Sequence, residues 1–139
     1  MKIKIINGPN LNLLGNREES IYGQQDFMSF LESLKQHYEH HIDYLQSNIE
    51  GELIDALQAA TDYDAIILNA AGYTHTSVAI LDSIRAIDVP VIEVHISNIY
   101  QREPYRRHSL IAEACIGSIC GFGLNSYRLA IEAIQDRLL

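Results

Sequence analysis

Several things are scarce or missing in this chain, and each absence closes off a class of function. No run of 18 apolar residues occurs, so the sequence predicts no bilayer-spanning helix. The start, MKIKIINGPN, lacks a long apolar stretch and a small-residue cleavage site, which is the expectation for a cytoplasmic protein. There are two cysteines, Cys115 and Cys120, too few for a disulfide framework; buried, inert thiols are expected. They are not spaced CxxC and no second pair completes a zinc site. His37, His40 and His41 cluster, but no carboxylate or cysteine completes a ligand set, so no metal is expected. GSICGFG does not read as a GxGxxG element, and neither a GxxxxGK[ST] loop nor a GxSxG elbow is present. The three lysines, Lys2, Lys4 and Lys35, lie outside the polar segments discussed below, which argues against Schiff-base chemistry. Net charge is −8, which disfavours a nucleic-acid partner.

What remains is an ordinary globular composition, 47% hydrophobic and 20% charged, over 139 residues, one domain's worth. Strand-like runs fall at Ile3–Asn7, Ile42–Gln46, Ala65–Asn69, Val91–Ile96 and Ile116–Cys120. Between them, Phe27, Phe30, Leu31, Leu34 and Tyr38 follow helical spacing, as do Leu53, Ile54 and Leu57, then Ile80, Leu81, Ile84 and Ile87. A short helix is expected around Leu110–Ala114 and a final one over Tyr127–Leu138. Alternating β and α segments predict an α/β three-layer sandwich with a five-stranded parallel sheet in the flavodoxin-like order 2-1-3-4-5. Right-handed crossovers then bring the segments after strands one, three and four to the same edge.

Those segments are polar. The first, Gly8 to Gly23, is GPNLNLLGNREESIYG, far longer than the ~2–6 residues usual for such a connection, and reads as a binding loop or lid. The second is NAAGYTHTS, Asn69–Ser77, and the third HISNIYQREPYRRH, His95–His108. They hold Arg17, Arg102, Arg106 and Arg107, four of seven arginines, so an anionic small molecule fits them despite the acidic whole. Lowering the Tyr22 phenol by ~3 pH units, to make it a base, needs ~4 kcal/mol. One arginine such as Arg17 at ~4 Å supplies roughly that in a half-exposed site. Alternatively, Arg17 is a solvated loop charge and Tyr22 a packing residue. Strand four carries Glu93 two residues before His95, on one face of a strand that should be apolar throughout. Such a pair is either a surface salt link or an acid whose tautomer the carboxylate holds. Asn69, His75, Ser97 and the peptide groups around Ile96–Ser97 are suited to hydroxyls or a carboxylate, and Arg106 to a carboxylate. Thr76 or Ser77 is a helix cap.

Taken together, the segments resemble type II 3-dehydroquinate dehydratase nearly end to end. The resemblance rests on NGPNLNLLG (Asn7–Gly15) with Arg17 and Tyr22-Gly23, QSNIEGELID (Gln46–Asp55), Asn69 with YTHTS (Tyr73–Ser77), EVHISN (Glu93–Asn98), REPYR (Arg102–Arg106) and ICGFG (Ile119–Gly123). It implies a single catalytic domain over 1–139 that removes water from 3-dehydroquinate through an enolate, without a cofactor. Carried over by position, Tyr22 is the base, Arg17 stabilises it, and His95 is the acid with Glu93 beside it. Asn10 holds a water against the enolate. Asn69, His75, Ile96, Ser97 and Arg106 bind substrate, and Asp82 is reached across a subunit contact of a homo-dodecamer, a tetramer of trimers. The chain departs from the usual pattern at Glu19, where proline is common, and at Ile49 and Tyr100. A flavin-binding module would need a hydroxyl- and glycine-rich first segment. A receiver domain would need acids where Asn7 and Asn69 stand, and an inactive scaffold would not be expected to keep Tyr22, Arg17 and His95.

Overall fold

The computed structural model describes residues 1–15 and 26–138. Among these residues five strands, β1 (Lys2–Asn7), β2 (His41–Gln46), β3 (Ala65–Asn69), β4 (Val91–His95) and β5 (Gly117–Cys120), form one sheet. Its order is β2-β1-β3-β4-β5 and every neighbouring pair is parallel, as expected. Among the described residues, four helices, α1 (Phe27–His37), α2 (Glu50–Ala59), α3 (Val78–Ala86) and α4 (Asn125–Leu138), cover its faces. Alternation along the strands sorts the core into two layers. Ile3, Ile5, Ile67, Ile92 and Val94 pack with Phe30, Leu34, Ile131 and Ile134 from α1 and α4. Ile6, Ile66, Leu68 and Val91 pack with Leu53, Leu57, Ile80 and Ile84 from α2 and α3. Full burial of one such aliphatic side chain contributes about 2 kcal/mol.

Local chemistry starts the helices. The Asp26 carboxylate accepts from the Ser29 N–H at 2.9 Å ahead of α1, and Ser77, not Thr76, accepts from the Ile80 N–H at 2.9 Å ahead of α3. The expected helix around 110–114 is only a 3-10 turn, Ala112–Ala114. Ser109 Oγ accepts from the Ala112 N–H there, and the chain turns back to the sheet edge at Gly117, leaving too few residues for a stable helix. Ile116 stays outside β5 and is exposed, while Ile96 is buried beyond the last paired residue of β4. The two cysteines are free but half-buried, not fully buried; burial and the nearby Glu93 charge push the Cys115 thiol up to about 12. Among the described residues, no helix is long and apolar enough to cross a membrane.

Candidate active site

The carboxyl ends of β1, β3 and β4 carry the three polar segments, and specific contacts tie them together. The Gly8 N–H donates to the Asn69 carbonyl at 2.7 Å. A Cβ on Gly8 would lie 2.6 Å from the Ala70 oxygen, so only glycine lets the first and second segments approach this closely. Among the described residues there, two non-glycine residues adopt positive φ, Asn10 at 71° and Ala71 at 53°. Asparagine tolerates that region; for alanine it is strain held by its surroundings, of the kind that gathers at functional sites. The second and third segments are joined by His75, whose Nδ1–H donates to the His108 carbonyl at 2.8 Å, leaving Nε2 uncommitted to that bond.

Between the segments lies a cleft of about 180 Å³. Asn10, Asn69, His75, His95, Ile96, Ser97 and Arg106, all expected from the sequence, line it together with the apolar side chains of Leu11, Leu13, Leu14 and Ile99. Glu93 is not on its wall but directly behind His95. Asp82 is exposed on α3 and does not line the cleft of its own chain. Arg17 and Tyr22 lie outside the described residues. Arg102 joins the wall without having been singled out as a ligand; its membership of the third segment, four residues before Arg106, was the available signal. Arg106 Nε lies 2.9 Å from the Glu103 carboxylate, an ion pair at the cleft wall without hydrogen-bond geometry, so the buried Nε–H is not satisfied by it.

The Glu93–His95 pair is no surface link. His95 Nε2 donates to Glu93 Oε2 at 2.7 Å with the two side chains 7% and 2% exposed. Ser109 Oγ donates to the same oxygen and Ser118 Oγ to Oε1, each at 2.6 Å. Burial works against the charge on Glu93, but the hydrogen bonds from His95, Ser109 and Ser118 and the attraction to His95 together hold its carboxyl below the ordinary value. The carboxylate thus fixes one ring nitrogen of His95 and leaves Nδ1 as the other. The His75 ring stacks near that of His95, centroids 6.3 Å apart. Burial, then the proximity of His95 and Arg106, hold its pKa below the usual 6.5 against the pull of the His108 carbonyl. A neutral donor or acceptor therefore stands beside the His95–Glu93 pair. The three early histidines do not converge. His37 packs edge-on against Tyr38, His40 sits between the Met1 amino group and Gln135, and His41 bonds Asp43.

The family model described as Dehydroquinase class II matches residues 1–135. The chain belongs to the class II dehydroquinase family. It is 49% identical over 142 residues to the 3-dehydroquinate dehydratase of Clostridium acetobutylicum, covering 99% of each chain. To that of an Exiguobacterium species it is 52% identical over 138 residues, covering 98% of this chain and 95% of the relative. The crystal structure of the type II dehydroquinase from Butyrivibrio crossotus superposes with a TM-score of 0.94 at 40% identity over 97% of each chain. The dehydroquinase likeness therefore spans the whole sheet and all three segments around the cleft.

Proposed function

We infer that this chain removes water from 3-dehydroquinate to give 3-dehydroshikimate, the third step of the shikimate pathway, by an anti elimination through an enolate. Membership of the family and relatives named for this reaction support the substrate. The observation that carries the chemistry is the buried His95–Glu93 pair beside a cleft that also holds Asn69, Ser97 and Arg106. In this reading Tyr22, held as the phenolate by Arg17, takes the C2 proton. The negative charge moves to the carbonyl oxygen, where a water bound by Asn10 stabilises it. His95 then gives its proton to the departing hydroxyl. Glu93 accepts from the ring's Nε2–H and so orients the acid toward the cleft. Arg106 and the Ile96–Ser97 peptide groups take the carboxylate, and Asn69 and His75 take ring hydroxyls. Side chains and a water suffice, with no cofactor.

Residues 1–139 act in this scheme as one catalytic domain of a cytoplasmic enzyme. The active form is a dodecamer, a tetramer of trimers, in which Asp82 of a neighbouring subunit reaches the site. Exposure of Asp82 on α3 agrees with such a role. Sedimentation returning a fully active monomer would remove both the assembly and the role of Asp82.

The direct test follows the rising enone absorbance of the product after mixing purified protein with 3-dehydroquinate and a chelator. The parent should turn over, and Tyr22→Phe should lose about 10³-fold or more in kcat while keeping its fold. Parental turnover by Tyr22→Phe would sink the base assignment. An inactive parent that is correctly assembled would sink the reaction.

A further inference from the structure

We propose that Tyr127 is a positioning residue for substrate binding: its hydroxyl sets which way the Asn69 amide faces the cleft. The proposal rests on the reading above, in which Asn69 binds a substrate hydroxyl.

Tyr127 sits on α4, far from every polar segment in sequence, and is fully buried. Its hydroxyl donates to Asn7 Oδ1 at 2.7 Å and accepts from Asn69 Nδ2 at 2.9 Å. Asn7 and Asn69 are register partners at the ends of β1 and β3, so one phenol bridges two buried amides across the switch point. The direction of every bond follows from a single group. The Ala71 N–H, held at positive φ, can only donate, and it donates to Asn69 Oδ1 at 3.1 Å. The amide nitrogen of Asn69 must therefore face Tyr127. The phenol oxygen is then an acceptor, its one proton goes to Asn7 Oδ1, and Asn7 Nδ2 donates onward to the Tyr44 hydroxyl at 3.4 Å. With both ends of its amide engaged, Asn69 keeps one N–H and one lone pair of fixed direction for a ligand.

Packing alone does not call for the hydroxyl. The Tyr127 ring meets Phe27 edge-on with centroids 5.0 Å apart, a contact phenylalanine would keep. What phenylalanine would lose is the bridge, leaving two buried amides with unmet groups and Asn69 held at its oxygen only.

The test is steady-state kinetics on 3-dehydroquinate with the assembled protein. Tyr127→Phe should raise KM about tenfold, as expected for one misdirected buried hydrogen bond, with kcat within about threefold. In an Asn69→Ala background, the same change should add nothing to KM, because the group it orients is gone. A purely structural role predicts a lower melting temperature with parental KM, and that result overturns the proposal. If Tyr127→Phe does not fold, Tyr44→Phe removes only the half-buried end of the chain. It should raise KM about twofold in the parent and not at all in Asn69→Ala; a parental KM in the folded Tyr44→Phe then overturns the proposal. If Asn69→Ala itself keeps the parental KM, the assignment of Asn69 falls and this proposal falls with it. If Asn69→Ala raises KM but Tyr127→Phe does not, this proposal falls alone.

Discussion

Two acid–histidine pairs lie at opposite ends of the same sheet. His41 and Asp43 sit two residues apart at the start of β2, and Glu93 and His95 two residues apart at the end of β4. The distances are similar, 2.9 Å and 2.7 Å. Their surroundings are not. The first pair has side chains 63% and 38% exposed on an edge strand. There a hydrogen bond from Tyr63 holds Asp43 below its usual range against the opposing cost of burial, with lesser help from His41. The second is buried beside a central strand and further held by two serine hydroxyls. Water screens the first pair and competes for its groups, so it contributes little. The second is shielded from solvent, and its carboxylate is satisfied by the imidazole and the two serine hydroxyls together. Chemistry therefore follows from where the fold puts a pair and not from its composition.

The largest difference between the pairs should appear in turnover. His95→Ala should cut kcat by about 10²–10⁴-fold, the usual range for a lost general acid, whereas His41→Ala should stay within about twofold. Comparable losses in the two variants would erase the functional contrast. Exchange of the C2 proton with solvent should survive in His95→Ala better than dehydration does.

Stability should divide the pairs next. Glu93→Ala removes one partner of a buried network and should cost about 3 kcal/mol in denaturant unfolding. Asp43→Ala should cost under about 1 kcal/mol, since its pair is screened by solvent. Equal costs would mean that burial is not what distinguishes them.

A smaller effect sharpens the same contrast through pH. The folded Glu93 carboxyl ionises below its ordinary 4.5, so the folded chain prefers the ionised form. The resulting stabilisation is complete above pH 4.5 and drains away as pH falls through the folded value. Stability measured between pH 3 and pH 6 should therefore fall less steeply toward acid in Glu93→Gln than in the parent. A steeper acid limb in the variant would contradict the sign. The smallest effect is that of salt: raising NaCl from about 0.05 to 1 M should weaken the exposed His41–Asp43 pair and leave the buried pair nearly unchanged, seen as a double-mutant coupling at each ionic strength.

Much of this was legible in the chain. Periodicity marks α1, α3 and α4 because a helix on a sheet must present one apolar stripe, and β3 and β4 read as continuous apolar runs because both their faces are covered. The same rule exposed Glu93 as an exception. Other features carried no local signal. Ser109 and Ser118 are unremarkable in sequence, yet both close on Glu93. Arg102 and Arg107 look alike, but Arg102 lines the cleft while Arg107 is spent on the Arg102 carbonyl. The helix expected near 110–114 failed because a short apolar run cannot announce whether there is room to propagate it.

The linear chain by itself determined the alternation of strands and helices and the three polar segments at the ends of β1, β3 and β4. These follow from side-chain period and crossover handedness, which are local properties. Only the tertiary structure decided which polar groups meet: Tyr127 with Asn7 across 120 residues, His75 with the His108 carbonyl, Asp82 turned away from the cleft of its own chain. Hydrogen bonds of that kind act over about 3 Å, and no pattern along the backbone encodes a distance that short between residues so far apart.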